Sequence, residues 1–197
     1  MDVGVLSSGG KDSTLAALFL TAFCDVRLLV GTFGVTDDYE HAIESAAAVG
    51  LPAERIDLDE AVAREAVDQM MADGFPRNGI QRVHEHALRV AAGLDLDGVA
   101  DGTRRDDRVP TVDRALAQHV EDRHGVAHLA PLAGIGRAAI DDIAARELVV
   151  ETGPSEEVPT GDYEAELRAL IRDEHGESEV ARIFPAHDQS RVIGLRE

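Results

Sequence analysis

Val3-Gly4-Val5-Leu6-Ser7-Ser8-Gly9-Gly10-Lys11-Asp12-Ser13 is the stretch on which the reading of this chain turns. Val3 to Leu6 is a short apolar β-type run, and Leu15 to Phe23 is an apolar helical run. Between them lie two glycines and four small hydroxyl residues. The order is strand, glycine turn, helix. Such a turn aims unpaired backbone N–H groups and the positive end of a helix dipole at one point. An anion, most often a phosphate, is the natural occupant. Lys11 is the only lysine in the chain, and the other 18 basic residues are arginines. The kinase-type phosphate loop does not fit. It needs Gly, four residues, then Gly-Lys-Ser/Thr, whereas Asp12 follows Lys11 and Gly4 lies inside the strand run.

Outward from this stretch, β-type runs alternate with helical ones, the pattern of a parallel sheet flanked by helices. Strands are expected at Asp2–Leu6, Val26–Phe33, Glu54–Leu58, Gly98–Asp101 and Ala127–Leu132. Helices are expected at Ser13–Phe23, Asp38–Val49, Asp59–Asp73, Gly79–Ala92, Val112–His124 and Arg137–Glu147. Gly50-Leu51-Pro52 ends the second helix, and Asp59 suits the N-cap of the third. Glu151 to Gly161, with two prolines, two glycines and three acids, reads as a loop. Asp162–Glu174 reads as a helix with Tyr163, Leu167, Leu170 and Ile171 on its apolar stripe. Arg191–Leu195 could add a last strand. The expected whole is one α/β domain over residues 1–197: a parallel five-stranded Rossmann-like sheet, with a C-terminal helical elaboration from about residue 151.

The chain carries 38 acidic and 19 basic residues, a net charge of −19, spread rather than blocked. Spread acid with arginine in place of lysine fits adaptation to concentrated salt, where a short Debye length mutes self-repulsion. A halophilic archaeal source is expected, and the net charge does not exclude nucleic acid. No apolar run approaches the ~20 residues that span a bilayer. No signal-peptide pattern opens the chain, so a cytoplasmic location without membrane partners is expected. The single cysteine, Cys24, excludes an internal disulfide and a four-cysteine zinc site. It is read as a small buried apolar residue.

Ser8-Gly9-Gly10-Lys11-Asp12-Ser13 resembles the PP-loop of the ATP pyrophosphatase superfamily, Ser-Gly-Gly-x-Asp-Ser, at the first strand–helix junction where that family carries it. Pro131-Leu132 followed by Arg137-Ala138-Ala139-Ile140 is similar to a Pro-Leu … Lys-x-x-Ile segment of many PP-loop enzymes, with arginine near the lysine position. Phe75-Pro76-Arg77-Asn78 and Asp101-Gly102-Thr103 look like the deazaguanine nitrile synthases, whose zinc cysteines are absent here. In size and order the chain is most similar to small archaeal PP-loop proteins predicted to act in tRNA thiolation. The resemblance implies ATP and Mg²⁺ as cofactors. It implies nucleotide contacts from Ser8, Gly9, Gly10, Lys11, Asp12 and Ser13. Gly31, Thr32 and Phe33 would hold adenine by backbone groups, alongside Asp101, Gly102 and Thr103. Lys11, Asp12, Arg104 and Arg105 are the candidate catalytic groups, with Asp12 and Asp101 as candidate Mg²⁺ ligands.

Arg104, Arg105 and Arg108 leave the fourth strand on the side to which the loop opens, interleaved with Asp106 and Asp107. Guanidinium forks match phosphate oxygens in geometry; mutual ion pairing in a solvated turn is the bland alternative. His84-Glu85-His86 cannot share a metal, because i and i+2 diverge on a helix. Gly134-Ile135-Gly136-Arg137-Ala138-Ala139 matches a dinucleotide fingerprint but comes late and without a following ribose acid. Phe184 to Arg191 either closes over the substrate or forms a capped connection.

The expected chemistry is ATP cleavage between the α- and β-phosphates. An acceptor oxygen is adenylated, and a sulfur or nitrogen nucleophile then displaces AMP. A tRNA base is the favoured acceptor, with a sulfur or nitrogen donor protein as a further partner. Two alternatives remain: a small-molecule amide or nitrile ligase of the same superfamily, and a non-catalytic ATP-binding sensor or scaffold subunit.

Overall fold

The computed structural model describes residues 1–196. β1 (Asp2–Leu6) leads through the glycine loop into α1 (Lys11–Leu20), then β2 (Asp25–Thr32), α2 (Tyr39–Ala48), β3 (Ala53–Asp57) and α3 (Glu60–Asp73). α4 (Arg77–Ala92), β4 (Gly98–Ala100), α5 (Arg114–His124), β5 (Ala127–Leu129) and α6 (Arg137–Glu147) follow. The chain ends with β6 (Leu148–Pro154), α7 (Tyr163–His175), α8 (Glu177–Ile183) and β7 (Asp188–Leu195).

β1 to β5 form one parallel sheet in the order β3-β2-β1-β4-β5. Connections from β1 run to β2 and β3 on one side, and the chain then crosses to β4 and β5 on the other. The strand order therefore reverses between β1 and β4, where α/β folds open a crevice at the carboxyl ends of the strands. The glycine loop and the β4–α5 connection are the two lips of that crevice.

Period-2 alternation sends β1 and β2 side chains to opposite faces. Val3, Val5 and Leu28 pack with α1, α2, α6 and Val192 of β7. Leu6, Leu29, Ile56 and Val99 pack with α3, α4, α7 and α8. Both faces are covered, as an all-parallel sheet requires. Asp59, Asp113 and Asp162 each accept a backbone N–H at a helix start, and Gly74 and Gly125 end helices in the left-handed conformation.

The five-stranded parallel sheet is as expected; the differences lie near the ends of elements and in the tail. α1 stops at Leu20, and Phe23 projects into solvent at 84% exposure. Cys24 is half-buried against the α1–α6 side of the core. Glu151 to Pro154 is not loop but part of β6, which pairs antiparallel with β7. The final strand is longer than expected, and it builds this second, two-stranded sheet rather than extending the first. α8 was not foreseen. A strand held by a partner some 40 residues away overrides the local glycine, proline and acid content that reads as loop. No helix among the described residues is long and apolar enough to cross a membrane.

Candidate functional site

The loop after β1 is bound tightly to its own helix. Gly9 has φ +79, a conformation that favours glycine. A Cβ there would meet the Ala42 backbone at 3.0 Å. Ser13 Oγ and Thr14 Oγ1 donate to Gly10 O at 3.2 and 2.9 Å, and Ser7 Oγ accepts from Gly9 N at 3.2 Å. Gly10 is the N-cap of α1, and no side chain caps it. Lys11 Nζ lies 2.7 Å from Asp12 Oδ1 and 3.2 Å from Asp141 Oδ1 of α6.

Across the crevice, Gly102 touches this helix start directly. A Cβ on Gly102 would lie 2.6 Å from Ser13 N and 2.9 Å from the Asp12 carbonyl carbon. Asp101, at 1% exposure, turns inward. Its Oδ1 accepts from Thr103 N at 2.8 Å, and its Oδ2 faces His84 Nε2 at 3.4 Å and His128 Nε2 at 3.7 Å. Burial alone would raise the Asp101 pKa. The imidazoles of His128 and His84 and the Thr103 amide outweigh it and hold the carboxyl far below the usual carboxylate range. His128 Nε2 is buried with no hydrogen-bond partner. His86 points elsewhere and accepts from Asp59 N at 3.1 Å, so the two histidines diverge as expected.

Arg104 and Arg105, paired in the sequence reading, separate here. Arg104 Nη1 lies 3.4 Å from Asp12 Oδ2, and its Nε bonds Asp107 Oδ1 at 3.0 Å, with the side chain only 13% exposed. Arg105 is exposed, its guanidinium lying against Gly136. Asp106 Oδ2 accepts from Arg137 N at 3.0 Å and so fills the N terminus of α6. That amide holds the Asp106 carboxyl below its ordinary value. Lys11, Asp12, Arg104, Asp107 and Asp141 therefore form one alternating network at the mouth of the loop. Arg105 is outside it.

For Mg²⁺, the two expected ligands differ. Asp12 stands at the mouth with its side chain 28% exposed. Asp101 is buried, with Oδ1 accepting from Thr103 N and Oδ2 facing His84 and His128. Among the described residues, no group of three or more His, Cys, Asp or Glu is arranged to hold a metal ion.

The expected adenine seat also needs correction. Phe33 N, at the end of β2, donates to Glu166 Oε2 at 2.9 Å, and Val35 N and Thr32 Oγ1 donate to Oε1 at 3.0 and 2.9 Å. Tyr163 packs on Gly31, where a Cβ would lie 3.4 Å from its ring. α7 thus satisfies, from within the chain, the backbone donor that an adenine ring would use. Glu166 is 4% exposed. The signal for it was present: position 166 falls on the Tyr163–Leu167–Leu170 stripe, where an acid is out of place.

The tail also covers the loop. Val192 N donates to Gly9 O, and Gly161 N to Ser8 O, both at 2.9 Å. Lys11 N lies 3.5 Å from Ser190 Oγ. Of the Phe184–Arg191 segment, Asp188 to Arg191 belongs to β7 itself, and Ser190 within it lies against the loop.

Comparisons with known proteins agree on the fold and leave the chemistry open. A model of a family of unknown function, DUF7411, matches residues 1–194. An uncharacterized protein of Methanocaldococcus jannaschii is 37% identical over 198 residues, spanning 100% of this chain and 98% of that protein. A crystal structure from the same species, described as a predicted subunit of tRNA methyltransferase, superposes with a TM-score of 0.90 at 35% identity. It covers 100% of this chain and 98% of its own.

Proposed function

The chain belongs to the family of unknown function DUF7411, and from its first glycine loop we propose that it is an ATP pyrophosphatase of the PP-loop type acting in tRNA modification. One observation carries the reading: the helix start with no side-chain cap at Gly10, with Lys11 and Arg104 beside it, at the strand-order reversal. Backbone N–H groups there would hold the β- and γ-phosphates. Lys11 and Arg104, now neutralised by Asp12, Asp107 and Asp141, would exchange those carboxylates for phosphate oxygens. An acceptor oxygen attacks the α-phosphate, pyrophosphate leaves, and a sulfur or nitrogen nucleophile displaces AMP. Lys11 and the helix dipole stabilise the charge on the departing pyrophosphate. Mg²⁺, with Asp12 as its protein ligand, would add neutralisation between phosphates. A role on tRNA is supported by the description of the M. jannaschii structure as a predicted subunit of tRNA methyltransferase, and a tRNA base is the acceptor we favour.

A second reading has its own observation. Glu166 and Tyr163 fill the expected adenine edge, which favours a subunit that binds a phosphate at the loop without turning ATP over. Pyrophosphate release from ATP and Mg²⁺, measured with and without tRNA, separates the two. Release that depends on Lys11 supports the enzyme. Binding of ATP or of inorganic pyrophosphate without release from ATP, in the presence of tRNA and a sulfide donor, replaces it with the subunit.

A further inference from the structure

We propose that the β4–α5 connection and the start of α4 form a docking face for RNA phosphates, centred on Arg77, Arg105, Arg108 and Arg114. The proposal rests on the reading of an RNA acceptor and says where that RNA lies.

Residues 77 to 114 contain seven arginines and seven acids, so this window is neutral while the chain as a whole carries −19. The fold then sorts the charges. Asp101 is buried under the crevice. Asp106 is spent on the Arg137 amide, Asp107 on Arg104, and Asp113 on Leu116 N at 2.8 Å. The acids of the connection are thus tied to backbone or to one inward arginine. Arg77, Arg105, Arg108 and Arg114 are exposed and, among the described residues, have no carboxylate within ion-pair distance. Several other exposed arginines are matched, Arg64 with Glu60, Arg82 with Glu65, Arg172 with Glu177 and Arg182 with Glu179, whereas Arg123, Arg146 and Arg196 are unmatched but scattered singly.

The platform is held in place. Gln81 makes two bonds to Thr111, to its carbonyl and from its amide, both 2.9 Å. Arg77 Nη2 donates to Arg108 O at 3.4 Å, joining α4 to the connection. Arg104 of the same connection reaches Asp12 at the loop mouth. A polyanion approaching an acidic protein meets less repulsion over a window of zero net charge than over the rest of the surface. Guanidinium forks suit phosphate oxygens and keep their charge at any working pH. A backbone held at Arg77 and Arg108 would lie beside the connection whose Arg104 reaches the loop mouth.

The test is anisotropy of a labelled, unmodified tRNA transcript titrated with the whole protein across a KCl series. Parallel measurements with Arg105→Ala/Arg108→Ala, the same pair plus Arg77→Ala, and Arg64→Ala/Arg172→Ala use matched charge loss elsewhere. Removing two phosphate contacts should shallow the slope of log K against log[KCl] by about two units, and the triple variant by about three. The matched control should keep the wild-type slope, and ATP binding should persist in all. Wild-type slopes in the triple variant, or equal losses in the control, overturn this docking face while leaving the RNA-acceptor reading intact. No binding of wild type to the transcript overturns that reading as well. Arginine-dependent binding of polyglutamate with none to RNA assigns the face to an acidic protein instead and overturns the proposal.

Discussion

Three residues decide the site at the finest scale. Lys11 is the one lysine of the chain and the one ammonium at the loop. Lys11→Ala should lower pyrophosphate release by roughly 10²–10³ while ATP still binds, and wild-type release would remove Lys11 from the chemistry. Gly102 is a contact glycine, since any Cβ strikes the Ser13 and Asp12 backbone. Gly102→Ala should cost about 1–3 kcal/mol through overpacking and weaken nucleotide binding together with thermal stability; an unchanged melting temperature would deny the close approach. Asp101 links the crevice to pH. Its folded pKa is depressed, so its contribution is present above about pH 3.9, the unfolded value, and is lost as pH falls below it. Asp101→Asn should cost about 1–3 kcal/mol at neutral pH by leaving buried donors poorly matched and flatten the acid limb of a melting-temperature profile. An acid limb identical to wild type would show the carboxylate is not held by His84 and His128.

At the scale of elements, α7 and the β6–β7 hairpin set what the sheet edge can do. β1, its loop and α1 are a local unit that any reader of Val3 to Ser13 can draw. The closing of that unit is not local. α7 lends Glu166 to the end of β2, and β7 lends Val192 N and Ser190 to the loop. Glu166→Gln replaces one carboxylate oxygen by an amide group and should cost about 1.5–3 kcal/mol in charge-assisted bonds. Hydrogen exchange should then quicken at Phe33 and Val35 specifically. If nucleotide takes the same edge, ATP affinity of this variant should rise; exchange and affinity both equal to wild type would show that α7 does not guard the β2 end.

At the scale of the whole molecule, charge dominates. A net −19 on 197 residues opposes compaction through self-repulsion, and salt relieves it. The melting temperature should rise steadily as KCl goes from the dilute range to molar concentrations; a flat or falling curve would separate the acidic composition from salt adaptation. The exposed, unmatched arginines of the β4–α5 connection belong to this scale too, because they stand out only against the sign of everything around them.

The order of β and α elements, the parallel sheet, and the glycine loop with its lysine at the head of a helix are legible in the amino-acid sequence. Those features follow from periodicity and backbone chemistry over a few neighbouring residues, such as Gly9 turning the chain and Leu15 to Leu20 lining one helix. Which charged groups face the site depends on long-range packing. Arg104 and Arg105 are adjacent in sequence, yet one joins the Asp12 network and the other faces solvent. Asp101 follows a strand end in the sequence, and the fold buries it facing His84 and His128. Phe33 meets Glu166 from 133 residues away, and Lys11 meets Ser190 from 179. Contacts at such separations leave no local pattern in the chain. They exist because folding buries particular polar groups and then requires each one to find a partner.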